Sequence, residues 1–136
     1  MIDPVVHLIC QTIDEKKGED ILVVDLQNVS VISDYFIICT GRNARHIHFI
    51  EETVWEKLVE SKKRPAHTEG DSLGGWVLLD LGDIVVHIMS PEKRAYYELE
   101  RLWSHGTLIP FRTVERKVGS ITPPTRGGAC KENYMP

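Results

Sequence analysis

The stretch GGWVLLDLGDIVVHIMSP, residues 74–91, decides how this chain folds. Two apolar runs of strand length flank Gly82-Asp83, a dipeptide suited to a two-residue type II′ hairpin turn. With those two residues in the turn, Leu81 opposes Ile84, and counting outward pairs Asp80 with Val85, Leu78 with His87 and Trp76 with Met89. Cross-strand partners share a face of the sheet. One face therefore carries Trp76, Leu78, Asp80, Val85, His87 and Met89, and the other only Val77, Leu79, Leu81, Ile84, Val86 and Ile88. The aliphatic face belongs in a core. The mixed face, with an indole, an imidazole and a carboxylate, is where function is to be sought.

Downstream, Ser90-Pro91-Glu92 joins a capping hydroxyl, a proline in the first turn and an acid at the positive end of the dipole, a strong helix start. The spacing predicts a helix to about Trp103 with Ala95, Tyr96, Leu99, Leu102 and Trp103 as its apolar stripe. Tyr97 then lies among Arg94, Glu98 and Arg101 on the solvent side, a binding candidate. Upstream, Asn43 caps a predicted helix with Ile47, Ile50, Val54 and Leu58 on one face, running to about Ser61 before Pro65. Ile21–Leu26 and Asp34–Thr40 read as buried strands, Asp3-Pro4 opens a first helix over about 4–17, and a short strand is expected near 65–69. The sum is a single α/β domain with a mixed β-sheet flanked by helices. From Ser104 the periodicity fades and four of the seven prolines appear. The expected organisation is a domain over 1–112 and a mobile, Pro/Gly-containing basic tail over 113–136.

A length of 136 residues suits one domain, and 42% apolar with 26% charged residues suffices for a core without disulfides or a structural metal. The charge is divided: residues 1–103 hold 11 Lys and Arg against 18 Asp and Glu, net −7, whereas 104–136 hold 5 against 2, net +3. An acidic body repels phosphates, so any meeting with nucleic acid is expected to run through a basic protein partner. Three cysteines without CxxC spacing, no apolar run near 18 residues and no signal-peptide pattern lead us to expect a soluble, cytoplasmic protein.

Sites for catalysis are sparse. His46 and His48, two apart on a helix, point about 200° apart, and no closed metal set follows. Asp80 and Asp83 are three apart, and two acids meant to hold Mg²⁺ from one strand need a spacing of two; Asp83 reads as a turn residue. Cys39 lies in an apolar run without an activating base, and Thr40-Gly41 falls far short of a phosphate-binding glycine motif. His87 reads as a partly buried, satisfied histidine. No catalytic residue, cofactor or metal ligand is assigned.

Several ordered blocks nevertheless carry a resemblance: DLQNVSVISDYFIICTG at 25–41, Arg45-His46, Glu69-Gly70, GWVLLDLGDIVVHIMSP at 75–91 and YYELERLW at 96–103. Across Val6 to Trp103 the chain resembles the Iojap-like family of ribosomal silencing factors. The resemblance implies a nucleotidyltransferase-like topology without the catalytic motif. It also implies binding to large-subunit ribosomal protein fourteen on the large ribosomal subunit, which blocks joining of the small subunit and lowers translation when nutrients are short. Trp76 and Tyr97 are the implied partner-binding anchors, with Leu78, Asp80, Glu98 and Glu100 as neighbours. The tail departs from the family pattern: its Arg112, Arg116, Lys117, Arg126 and Lys131 either form a solvated extension or touch rRNA phosphates after docking. A nucleotidyltransferase-like enzyme and a large-subunit assembly factor are the alternatives, and self-association of the Trp76 patch into a homodimer stays open.

Overall fold

The computed structural model describes residues 3–31, 33–102 and 106–111. Its centre is the anticipated hairpin. Strand β4 (Trp76–Asp80) pairs antiparallel with β5 (Ile84–Met89) in the register Trp76↔Met89, Leu78↔His87 and Asp80↔Val85. Gly82 takes φ +96°, and the Leu81 N–H donates to the Ile84 carbonyl at 2.8 Å, closing the turn.

Around this hairpin the other elements follow in the expected order. Helix α1 (Pro4–Glu15) starts on Asp3, whose carboxylate accepts the Val5 N–H at 2.8 Å. Strands β1 (Glu19–Asp25) and β2 (Tyr35–Thr40) pair antiparallel, and α2 (Ala44–Glu60) starts on Asn43, whose side chain accepts the His46 N–H at 2.9 Å. The short strand expected near 65–69 is β3 (His67–Asp71), an exposed edge strand on β4.

The six-stranded sheet runs β3-β4-β5-β2-β1-β6. Among the described strands only β2 and β5 pair in parallel, so the sheet is mixed, and α2 is part of the crossover between them. On one face, Val6, Ile9 and Ile13 of α1 and Ile47, Ile50, Val54 and Leu58 of α2 pack over Val77, Leu79, Ile84, Val86 and Ile88. This is the aliphatic side read from the hairpin alone. Each fully buried Ile or Leu there contributes roughly 1.5–3 kcal/mol by leaving water.

Two features depart from the sequence reading. The helix predicted to run unbroken to Trp103 ends at Tyr97: α3 (Pro91–Tyr97) closes on Glu98, which takes the left-handed conformation at φ +49° and donates its N–H to the Arg94 carbonyl. A short α4 (Leu99–Leu102) follows. The break lets Leu99 turn inward onto Val24, Leu26, Ile38 and Met89 on the second sheet face, and it leaves Tyr96 79% exposed rather than in a core stripe. The second departure is β6 (Thr107–Pro110), an edge strand on β1 in a segment where periodicity had faded. Four residues ending in proline carry too short a pattern to read. Trp103 and the 113–136 tail lie outside the described residues.

Candidate partner-binding surface

Alternation along β4 puts Trp76, Leu78 and Asp80 on the face turned away from α1 and α2, and all three are half-buried. Gly75 launches the strand at φ +84°. A Cβ there would come within 3.0 Å of the Ser90 hydroxyl, so glycine lets β4 enter close against the cap of α3. That close approach brings Tyr97 to Trp76, with ring centroids 4.9 Å apart. Tyr97 is 40% exposed and meets Tyr96 edge-on at 4.9 Å, while the Lys93 ammonium stands 5.8 Å from the Tyr97 ring. Arg94 ties the same helix to the sheet by donating to the Thr40 hydroxyl at 2.9 Å.

Inward from Trp76 the row of rings continues. The indole Nε1–H donates to His87 Nδ1 at 3.1 Å, and Phe36 lies 4.8 Å from the His87 ring on the other side. Phe36, His87, Trp76, Tyr97 and Tyr96 thus form one aromatic series across the second sheet face, with His87 buried, Phe36 and Trp76 half-buried and Tyr96 in solvent. Burial pushes the His87 pKa down from its ordinary value to about 4, so the imidazole stays neutral near neutral pH.

On the outer side β3 supplies acid. Glu69 is opposite Leu78 and Asp71 opposite Trp76, and with Gly70 and Gly74 these four residues line an open cleft of about 450 Å³. The sequence reading assigned neither carboxylate to the site and met Glu69 only as part of the Glu69-Gly70 block, although alternation along HTEGD, once paired with β4, places both on the Trp76 face. Asp71 also accepts the Gly74 N–H at 2.6 Å, and Glu69 meets His67 at 2.8 Å.

The other named residues are placed as follows. Asp80 accepts the Gly82 N–H at 2.7 Å, so its carboxylate braces the hairpin turn beyond Leu78. Glu98 is exposed, beside Tyr97 in sequence, and pairs with Arg101 at 3.1 Å. Glu100 belongs to α4, and its side chain lies outside the described residues. Phe36 and Tyr96 belong to the aromatic series without having been singled out as site residues.

The weighed catalytic candidates have structural partners. His46 accepts the Arg42 N–H at 3.0 Å and its other nitrogen meets the Lys16 carbonyl at 2.8 Å, so it ties α2 to the end of α1. His48 pairs with Glu51 and Glu52 on the solvent side. The Asp83 carbonyl accepts N–H groups from Asp34 and Tyr35. Burial pushes the Cys39 thiol up to about 12, with Arg94 acting weakly the other way, and Cys10 is raised further. Among the described residues no group of three or more His, Cys, Asp or Glu could hold a metal ion, and no helix is long and apolar enough to cross a membrane.

Fold and surface together define a class: a small mixed-sheet α/β domain that presents a half-exposed aromatic series bordered by carboxylates. The chain matches the family described as "Ribosomal silencing factor during starvation" over residues 2–133, and it belongs to that family. The match extends past the YYELERLW block, so most of the basic tail falls within the family's span. Ribosomal silencing factor RsfS of Bacillus subtilis is 38% identical over 95 residues, 70% of this chain and 80% of that protein. A mouse protein named "Mitochondrial assembly of ribosomal large subunit protein 1" is 29% identical, over 73% of this chain and 45% of its own length. Among solved structures, a Chromobacterium violaceum protein superposes with a TM-score of 0.73 at 34% identity, covering 76% of this chain and 87% of that one.

Proposed function

We propose that this protein binds the large ribosomal subunit through large-subunit ribosomal protein fourteen and sterically blocks the small subunit, lowering translation in nutrient limitation. The observation that carries this reading is the Trp76–Tyr97 pair, two rings 4.9 Å apart where the aromatic series passes from the buried His87 to the exposed Tyr96. Aromatic anchors bring large contact area at low entropic cost, and such residues dominate interface energies. Leu78 extends the apolar contact. Glu69, Asp71, Asp80, Glu98 and Glu100 suit the Lys and Arg of a protein that itself sits on RNA, and a body of net −7 is steered toward such a partner rather than toward phosphate. The mechanism is occlusion in the cytoplasm, without catalysis, metal or cofactor.

Co-sedimentation with isolated large subunits, small subunits and both mixed tests this. The protein is expected to travel with large subunits alone and to deplete joined ribosomes, and Trp76→Ala combined with Tyr97→Ala is expected to abolish both effects. Unaltered large-subunit affinity in that double variant overturns the reading. Calorimetric titration with nucleoside triphosphates and Mg²⁺ tests the nucleotidyltransferase-like alternative, for which heat of binding is required.

The name of the mouse relative favours a second reading, action on the large subunit during assembly. Gradient profiles of depleted cells separate the two. Precursor particles point to assembly, and excess joined ribosomes under starvation point to silencing. Self-association through the same patch is read from sedimentation of the free protein, where Trp76→Ala would dissolve a homodimer.

A further inference from the structure

We propose that His87 is a positioning residue for docking: its buried imidazole accepts the Trp76 indole N–H and holds that ring in the orientation the partner meets. This rests on the docking role proposed above for Trp76 and adds a residue that does not itself reach the partner.

The argument begins with what an indole can do. Its N–H only donates, so His87 Nδ1, 3.1 Å away, has to be the acceptor, and the neutral ring carries its proton on Nε2. A half-exposed side chain on a strand has more than one common χ1 rotamer, so an untied Trp76 would sample several orientations and lose that freedom on binding. The tie removes the choice beforehand. His87 is itself unable to swing away, because it is only 4% exposed and its ring lies between Phe36 at 4.8 Å and Trp76 at 5.9 Å. Trp76 is therefore braced on both sides, by the imidazole beneath it and by Tyr97 at 4.9 Å above.

A second observation separates positioning from mere packing. His87 Nε2 is buried and finds no hydrogen-bond partner among the described residues. A buried donor without a protein acceptor costs stability. An aliphatic residue of similar size would remove that penalty while losing the acceptor for Trp76. The two roles thus predict opposite consequences for one substitution.

The experiment uses the full chain and isolated large subunits, comparing wild type with Trp76→Ala, His87→Leu and His87→Gln. Thermal midpoint is read beside affinity. The indole N–H resonance of Trp76, identified as the one lost in Trp76→Phe, reports the hydrogen bond directly. His87→Leu is expected to keep or raise the midpoint, to shift the Trp76 resonance and speed its exchange with solvent, and to weaken binding about fivefold to tenfold. His87→Gln, whose amide oxygen can accept the same N–H, is expected to recover most of the affinity. The inference is overturned if His87→Leu binds like wild type while Trp76→Ala does not, since docking then needs Trp76 but not its tie. It is equally overturned if His87→Leu lowers midpoint and affinity together and His87→Gln restores neither. Wild-type binding by Trp76→Ala removes the docking reading itself and this inference with it.

Discussion

The Trp76 indole and the Tyr97 phenol ring stand 4.9 Å apart at an interplanar angle of 49°, although one lies on a strand and the other at the end of a helix. The tilt is a geometry in which aromatic pairs attract beyond simple area burial. The pair is therefore expected to act as a unit: Trp76→Ala lowers large-subunit affinity by about 2 kcal/mol or more, Tyr97→Ala by less, and the double variant by less than their sum. A double-mutant cycle from equilibrium binding checks this, and strict additivity would show that the rings work separately.

Carboxylates at the cleft are expected to govern encounter more than residence. Reversing Glu69 and Asp71 to Lys should slow association with large subunits and flatten its salt dependence, with a smaller effect on dissociation. Stopped-flow measurements at two ionic strengths are the check, and an unchanged association rate would exclude β3 from steering.

Stability should depend on pH through His87. The folded-state pKa is lowered to about 4, whereas an unfolded histidine titrates near 6.5. Between those values the unfolded chain takes up a proton that the folded chain refuses, so stability rises with pH there. The contribution is complete above the unfolded value and is lost as pH falls toward the folded one, by on the order of 3 kcal/mol. Subtracting the denaturation profile of His87→Leu from that of wild type isolates this slope, and parallel profiles would refute it.

Gly82 should resist substitution for reasons of backbone alone. A Cβ there would meet nothing within 4 Å, yet φ is +96°. Gly82→Val is expected to destabilise by roughly 1–3 kcal/mol without steric repacking, measurable by urea unfolding. By contrast, Leu79→Ala in the aliphatic core should cost about 2–5 kcal/mol by leaving a cavity.

His46→Ala removes the two contacts that join the start of α2 to Arg42 and to the Lys16 carbonyl. A loss of roughly 1–3 kcal/mol is expected, with large-subunit affinity unchanged once the protein is folded. Chemical denaturation beside co-sedimentation distinguishes this structural role from a functional one.

The hairpin, its register and the division of its two faces were legible in the sequence, because a two-residue turn and a period of two leave one alignment that gathers Val77, Leu79, Ile84, Val86 and Ile88 on the core face. The sequence by itself likewise determined α1 and α2, whose caps and apolar spacing are local signals, and it singled out Trp76 on the mixed face. Tertiary structure alone decided the rest. Glu98 leaves the helical region because Leu99 then finds the second sheet face beside Met89 and Ile38, a contact invisible to local periodicity, and Tyr96 turns to solvent as a result. Glu69 and Asp71 become neighbours of Trp76 only through pairing of β3 with β4, and Phe36 joins His87 only through the parallel pairing of β2 with β5. Local pattern reports what a residue repeats with along the chain. Which side chains stand beside an anchor is set by strand order and by a helix break made for packing, and both depend on residues far apart in sequence.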